Sequence, residues 1–373
     1  MAIKSRICEV FGIKYPIFLA GMGGAANPKL TAAVSNAGGL GVLGAAACTP
    51  NQMRRWIQET RDLTDKPFGV DTLLPMSVRG GGNLKQNDGK DPSDLVAEYQ
   101  EMAKGFMNEH GLKMTESDRS PTAIESVGLF TKEFFEQQME VVIEEKVPVY
   151  AAGLGNPSPW MERLKANNTR VMTVVGAVRH TVKVSSAGVD AIVAQGHDAG
   201  GHNSPIGTMA LIPQVVDAAN GIPILGAGGI SDGRGIAAAM MLGAEGAWIG
   251  SAFLASEEAG IHDHQKQAIL DSTEEGTVIS RSITGKPARI IRSSWTDFWE
   301  RSEHDPLPMP YQSAVAGAVL ASADADNRQD INPGFAGQGI GMIKKVRSAE
   351  EIMADLVEGM ERTLKDSQQL FSN

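Results

Sequence analysis

Eight short, almost continuously apolar runs are the feature that most narrows what this 373-residue chain can fold into. They read PIFLAGM (16–22), GGLGVLG (38–44), PFGVDTLL (67–74), VPVYAAGLG (147–155), RVMTVVG (170–176), AIVAQG (191–196), IPILGAGGI (222–230) and GAWIGSAFL (246–254). Strands that are apolar on both faces belong to a parallel sheet covered on both sides. Helical patterns such as LTAAVSNAG, QMRRWIQETRDL and RGIAAAMMLG lie between them, several ending in glycine where helices are usually capped. The runs recur every 21 to 31 residues except once, which predicts a closed (β/α)8 TIM barrel rather than a doubly wound sheet.

The exception lies between the third and fourth runs. The polar stretch RGGGNLKQNDGKDPSD (79–94) is followed there by two predicted helices, at 94–110 and 131–146. Residues 77–130 therefore read as an insertion after strand three, a lid or a subunit contact of a homo-oligomer at the barrel mouth. After the eighth run come a helical segment (256–271), an irregular stretch rich in Arg, Trp and Pro (281–313), and an amphipathic helix (348–368). The expected architecture is one barrel domain over 1–373 with a C-terminal helical extension.

A formal charge of −10, without a dense Lys/Arg block, argues against nucleic acid or an anionic membrane as partner. No run reaches the roughly 18 apolar residues of a membrane span, and the first residues lack a signal-peptide core, so a cytoplasmic protein is expected. Two cysteines, Cys8 and Cys48, are too few for a disulfide framework. Cys48 has no basic neighbour to activate it and reads as a small buried residue.

The 42 glycines are concentrated at the ends of apolar runs, where close ligand approach needs a residue without Cβ. In a barrel, phosphate commonly binds after strands seven and eight. Gly226, Gly228 and Gly229 stand at the first of these positions and Gly250-Ser251 at the second. With the helix start at Gly233–Arg234 they would form an anion nest. The sharpest local signal is QGHDAGGHNS (195–204) at the end of strand six. Gln195 suits the edge of a planar heterocycle, Gly200 and Gly201 allow close approach, and His202 is placed to move protons near neutral pH. His197 and His202 lack further ligands for zinc, so no metal is expected. His262 and His264 read as a solvated helix face. Met22 and Gly23 end strand one, and Asp71 ends strand three, within reach of the same pocket.

In combination, PIFLAGM, VSNAGGLGVLG, AQGHDAGGH, ILGAGGISDGRG and IGSAF resemble the nitronate monooxygenase family, formerly the 2-nitropropane dioxygenases. The resemblance covers strands one to three, then Val147 to about Arg292, and FAGQGIGMI (335–343). It implies FMN at the barrel mouth, contacted by Met22, Gly23, Asp71, Gln195, Gly200 and Gly201. Gly228, Gly229, Gly250 and Ser251 would hold the phosphate. It further implies His202 as catalytic residue and Gln338 near flavin and substrate. The implied reaction converts an alkyl nitronate or nitroalkane and O2 to a carbonyl compound and nitrite. An NAD(P)H-dependent enoyl-thioester reductase is the alternative that shares the AGGH loop, and a flavin-binding protein without turnover is a third. The chain departs from the family at Asp71, where Asn is common, at His197-Asp198, where a Glu usually precedes AGGH, and at Gly339, often Ser.

Overall fold

In the computed structural model, residues 5–74, 92–113 and 131–371 are described. Six strands follow one another as β1 (Ile17–Leu19), β2 (Gly41–Gly44), β3 (Phe68–Leu73), β4 (Val149–Leu154), β5 (Arg170–Val175) and β6 (Ala191–Gln195). A two-residue strand β7 (Gly201–His202) precedes β8 (Ile224–Ala227) and β9 (Gly246–Ile249), and an antiparallel ribbon of β10 (Thr277–Ser280) and β11 (Ala288–Ile291) comes last. All but β7, β10 and β11 form one parallel sheet, in the order β1-β9-β8-β6-β5-β4-β3-β2. Leu40 closes the ring, its N–H donating to Ile17 O at 3.0 Å while Leu19 N–H donates to Leu40 O at 2.9 Å. The (β/α)8 barrel expected from the eight apolar runs is the observed fold.

Alternation along the strands sorts side chains between two cores. Phe18, Val42, Val149, Met172, Val193 and Trp248 point inward and fill the barrel. Ile7 and Phe11 of the short helix Arg6–Phe11 belong to the same cluster, and the Phe11 ring meets Phe18 edge-on at 5.2 Å between centroids. The outward residues, among them Leu19, Val70, Ala152 and Ile192, pack beneath the surrounding helices. Two of those helices begin with a capping residue followed by proline. Asn27 accepts from Leu30 N–H before Pro28, and Thr49 accepts from Gln52 N–H before Pro50. Proline at the first helical position loses no hydrogen bond, because that N–H has no intrahelical partner.

A second hydrophobic cluster stands beside the barrel. Helix Pro92–Glu109, within the 77–130 segment, contributes Leu95, Val96, Tyr99, Phe106 and Met107. Trp295, Trp299 and Val315 pack against them from helices Ser294–Arg301 and Tyr311–Ala325. Tyr99 stacks on Trp299 at 5.8 Å and Phe106 meets Trp295 at 5.0 Å. The stretch 281–313 is thus more regular than its composition suggests, holding β11 and a helix. Residues 302–310, which hold the prolines, lie outside regular structure, and the helix starts directly after them at Tyr311. The expected lid loop lies largely outside the described residues.

The last long helix, Ala349–Ser367, opens with a capping box between Ser348 and Glu351. It lies so close to helix Gly233–Met241 that a Cβ on Gly233 would sit 2.2 Å from Met360 N.

Candidate active site

Toward the C-terminal mouth of the barrel the inward alternation leads to a layer of Ala20, Gly44, Asp71, Gly153, Val174, Gln195, Ala227 and Gly250. Five of these carry no side chain beyond Cβ. Loop atoms occupy part of the space so left: a Cβ on Gly44 would lie 2.0 Å from Met22 O, and one on Gly153 2.4 Å from Asp71 Oδ1.

Asp71 is the one carboxylate in this layer. It is buried between the loops after β1 and β4, so tightly that a Cβ on Gly21 would lie 2.1 Å from its Oδ2. Gly153 N–H donates to Oδ1 at 2.9 Å, and no cation among the described residues pairs with it. Loss of water pushes its carboxyl well above the ordinary range, and the single amide bond opposes this only in part. Asp71 is thus a neutral acid over a pH range in which exposed carboxylates are charged.

Gln195 donates from Nε2 to His202 O at 2.8 Å, tying the end of β6 to β7. β7 pairs antiparallel with β11, His202 opposite Ala288 and Gly201 opposite Arg289. The ribbon beyond the last barrel strand is thereby part of the site. Its turn brings Thr284 Oγ1 to 2.8 Å from His202 Nε2. Burial, and then the charge of Lys286, lower the His202 pKa to about 4. The imidazole is accordingly neutral near pH 7. Burial also lowers the Lys286 ammonium from its ordinary value. Arg289, 3% exposed, donates to His197 O from Nε at 3.2 Å and from Nη2 at 3.1 Å, and to Thr277 Oγ1.

Thr284, Lys286 and Arg289 were not singled out from the sequence. The signal available was the pair of short runs TVIS and ARII about a glycine-containing turn, which reads as a hairpin. Gly285 is needed in that turn, with φ +81° and a virtual Cβ only 2.3 Å from Leu307 O.

After β8 the backbone turns through Gly228 (φ +105°) and Gly229 (φ +71°). Among the described residues, no acceptor takes the N–H of Gly228, Gly229, Gly250 or Ser251. The start of helix Gly233–Met241 contributes less than expected to this nest. The Asp232 carboxylate already accepts from Arg234 N–H at 2.9 Å and Gly235 N–H at 3.2 Å, capping the helix internally. Met22 lies beside Gly250, its sulfur 3.3 Å from where a Cβ would stand, whereas a Cβ on Gly23 or Gly201 would meet nothing within 4 Å. Gly200 serves a protein contact, since a Cβ there would lie 2.7 Å from the Ala336 carbonyl carbon.

Segment 336–339 clasps these loops together. Gly337 N–H donates to Ser251 Oγ at 2.8 Å and Gln338 N–H to Asp198 O at 2.9 Å. Gln338 thus stands beside Gly229, bordering a cleft of about 530 Å³ that runs outward between helices Thr208–Ala218 and Gly233–Met241. Away from the mouth, His264 is buried 3.2 Å from Asp324 Oδ1 rather than solvated, and only His262 of that pair is exposed. Cys48 is buried as expected, its thiol pushed up to about 11 by loss of water.

The nitronate monooxygenase family model matches residues 4–359. The chain belongs to that family. A probable nitronate monooxygenase of Staphylococcus saprophyticus is 34% identical over 87% of this chain and 88% of its own length. One from Staphylococcus aureus strain Newman is 32% identical over 95% and 96%. Among solved structures, nitroalkane oxidase from Streptomyces ansochromogenes superposes with a TM-score of 0.81 at 27% identity, covering 97% of this chain and all of the other. FabK from Thermotoga maritima gives 0.75 at 29%, over 99% and 100%. This family member is a flavin-dependent oxidoreductase. The residues present fit such a group, because the amides of Gly228, Gly229, Gly250 and Ser251 have no acceptor among the described residues. No helix among the described residues is long and apolar enough to cross a membrane.

Asp71 yields a test by pH. A carboxyl whose folded pKa is raised adds stability below its unfolded value of roughly 4, and that stability is lost as pH rises toward the folded value. Asp71→Asn should therefore melt close to the parent at pH 4 and increasingly above it toward pH 8. A difference that stays flat with pH, followed by thermal unfolding, would show Asp71 to be ionised in the fold.

Proposed function

We propose that this enzyme binds FMN at the barrel mouth and uses it with O2 to convert alkyl nitronates into carbonyl compounds and nitrite. The balance is two nitronates and one O2 to two carbonyl compounds and two nitrites, each C=N bond being replaced by C=O. The observation that carries the cofactor reading is the set of unpartnered amides at Gly228, Gly229, Gly250 and Ser251, which suits one phosphate. In this reading Met22, Gly23, Asp71, Gln195, Gly200 and Gly201 border the ring, and Gln338 stands near the phosphate end. When bound, the flavin supplies the redox chemistry.

The protein's own contribution is charge and orientation. His202 lies within the field of the Lys286 charge, and its Nδ1, without a partner among the described residues, can face an anion such as a nitronate. His202 is the catalytic residue, its ring offering a hydrogen bond to the substrate oxygens. An imidazole of such low basicity is poorly suited to taking a proton from a neutral nitroalkane. The likeness to FabK favours a second reading, reduction of an enoyl thioester by NAD(P)H. Rapid bleaching of the bound flavin by NADH without O2, with no oxygen uptake on propyl nitronate, is the result that selects it.

Two outcomes are expected. Gly23→Val places a side chain in open space at the mouth, so the variant should fold as the parent does while its FMN Kd rises at least tenfold, about 1.4 kcal/mol. Heat-released cofactor that proves to be FAD overturns the FMN assignment. For the chemistry, oxygen uptake should be faster with pre-ionised propyl nitronate than with neutral nitropropane, and His202→Ala should cut kcat/KM for the nitronate by about 10²–10³-fold with flavin retained. Equal rates on the two substrates in the parent, with only the nitroalkane reaction lost in the variant, would restore His202 as a base.

A further inference from the structure

The His202 ring makes a single hydrogen bond among the described residues, from Nε2 to Thr284 Oγ1 at 2.8 Å. Which atom supplies the hydrogen decides which face of the imidazole chemistry is offered at Nδ1. The Thr284 hydroxyl has one hydrogen and two lone pairs. One lone pair receives the backbone N–H of Lys286 at 3.3 Å. The hydrogen has two acceptors within reach, Lys286 O at 3.4 Å and His202 Nε2 at 2.8 Å. The first distance lies beyond the normal range for O–H donors and the second at its optimum.

We propose that Thr284 is a positioning residue, donating its hydroxyl hydrogen to His202 Nε2 and so fixing the ring as the Nδ1–H tautomer. The imidazole then carries one proton, and it sits on Nδ1. That atom has no partner among the described residues and is not sealed from open space. It presents an N–H to the substrate rather than a lone pair. A donor strengthens the hold on an anionic oxygen, whereas a lone pair would repel it. The turn that carries Thr284 also carries Lys286, whose charge acts on the same ring. Pairing of β7 with β11 holds the loop in register with the histidine, and Gly285 gives the turn its left-handed step.

This inference rests on the reading of His202 as the residue that meets the substrate, but its test does not need turnover. In flavin-loaded enzyme carrying ¹⁵N-labelled histidine at pH 7, the His202 resonances should show a protonated Nδ1 and an unprotonated Nε2. Thr284→Ser keeps the hydroxyl and should keep that pattern, with kcat/KM for propyl nitronate within about threefold of the parent. Thr284→Val removes the donor and should move the proton to Nε2, with kcat/KM reduced at least about tenfold. A protonated Nε2 in the parent overturns the proposal without any variant, and so does a Thr284→Val enzyme that retains the Nδ1–H pattern. If the parent shows the expected tautomer but oxidises no nitronate, the substrate reading fails while the role of Thr284 stands.

Discussion

The structure depends first on a change of side-chain size along the barrel axis. Lower in the barrel, Phe18, Val42, Met172 and Trp248 fill the interior, and Ile7 and Phe11 pack into the same cluster. Toward the mouth, five of eight strands present only glycine or alanine on the inward face. Loop groups pack into the room this leaves, Met22 O against Gly44 and the Asp71 carboxyl against Gly21 and Gly153. Asp71 is buried there with one amide partner, which raises its carboxyl pKa, and the amides after β8 and β9 have no acceptor among the described residues.

A barrel with such a mouth is incomplete as a catalyst without the chain that follows it. The His202 loop is held by antiparallel pairing to β11 and by the Arg289 guanidinium on His197 O. The clasp at 336–339 joins the same loop to Ser251 through Asp198 O and Ser251 Oγ. β11 is followed directly by helix Ser294–Arg301, which sits in the cluster with helix Pro92–Glu109. Packing energy in that second core thus fixes the geometry of a loop that meets the first.

The barrel was legible in the sequence because strands buried on both faces leave a signal that no solvent-facing pattern can mimic. The glycine turn after β8 was legible as a turn, and Gly228 and Gly229 take positive φ there. The ribbon was not, since β10 and β11 are four residues each and sit among Arg, Lys and Pro that suggest irregular chain. The roles of two further residues depended on neighbours far away in sequence. His264 looks solvated from the polar IHDHQ around it, yet it is covered by helix Tyr311–Ala325, whose Asp324 lies 3.2 Å away. Gly200 has neighbours the sequence does not show, since its missing Cβ leaves room for the backbone of Ala336 and Gly337. Asp232 is the reverse case. A residue of capping type directly before a helix could have been read as already occupying the donors assigned to an anion.

The balance of charge at the mouth follows from these constraints. Asp71 in its neutral form contributes no negative charge, and neutral His202 contributes no positive charge. Lys286 and Arg289 are both partly stripped of water, with Asp198 the one carboxylate that acts on Arg289. In the proposed reading a flavin phosphate would lie on the glycine loops and the substrate beside His202, within the field of the Lys286 charge. The same charges work against a neutral substrate that must first surrender a proton to His202, because the imidazolium so formed would be desolvated and would face Lys286. In the proposed reading, the field at His202 and the tautomer set by Thr284 act in one direction, toward a substrate that arrives already ionised.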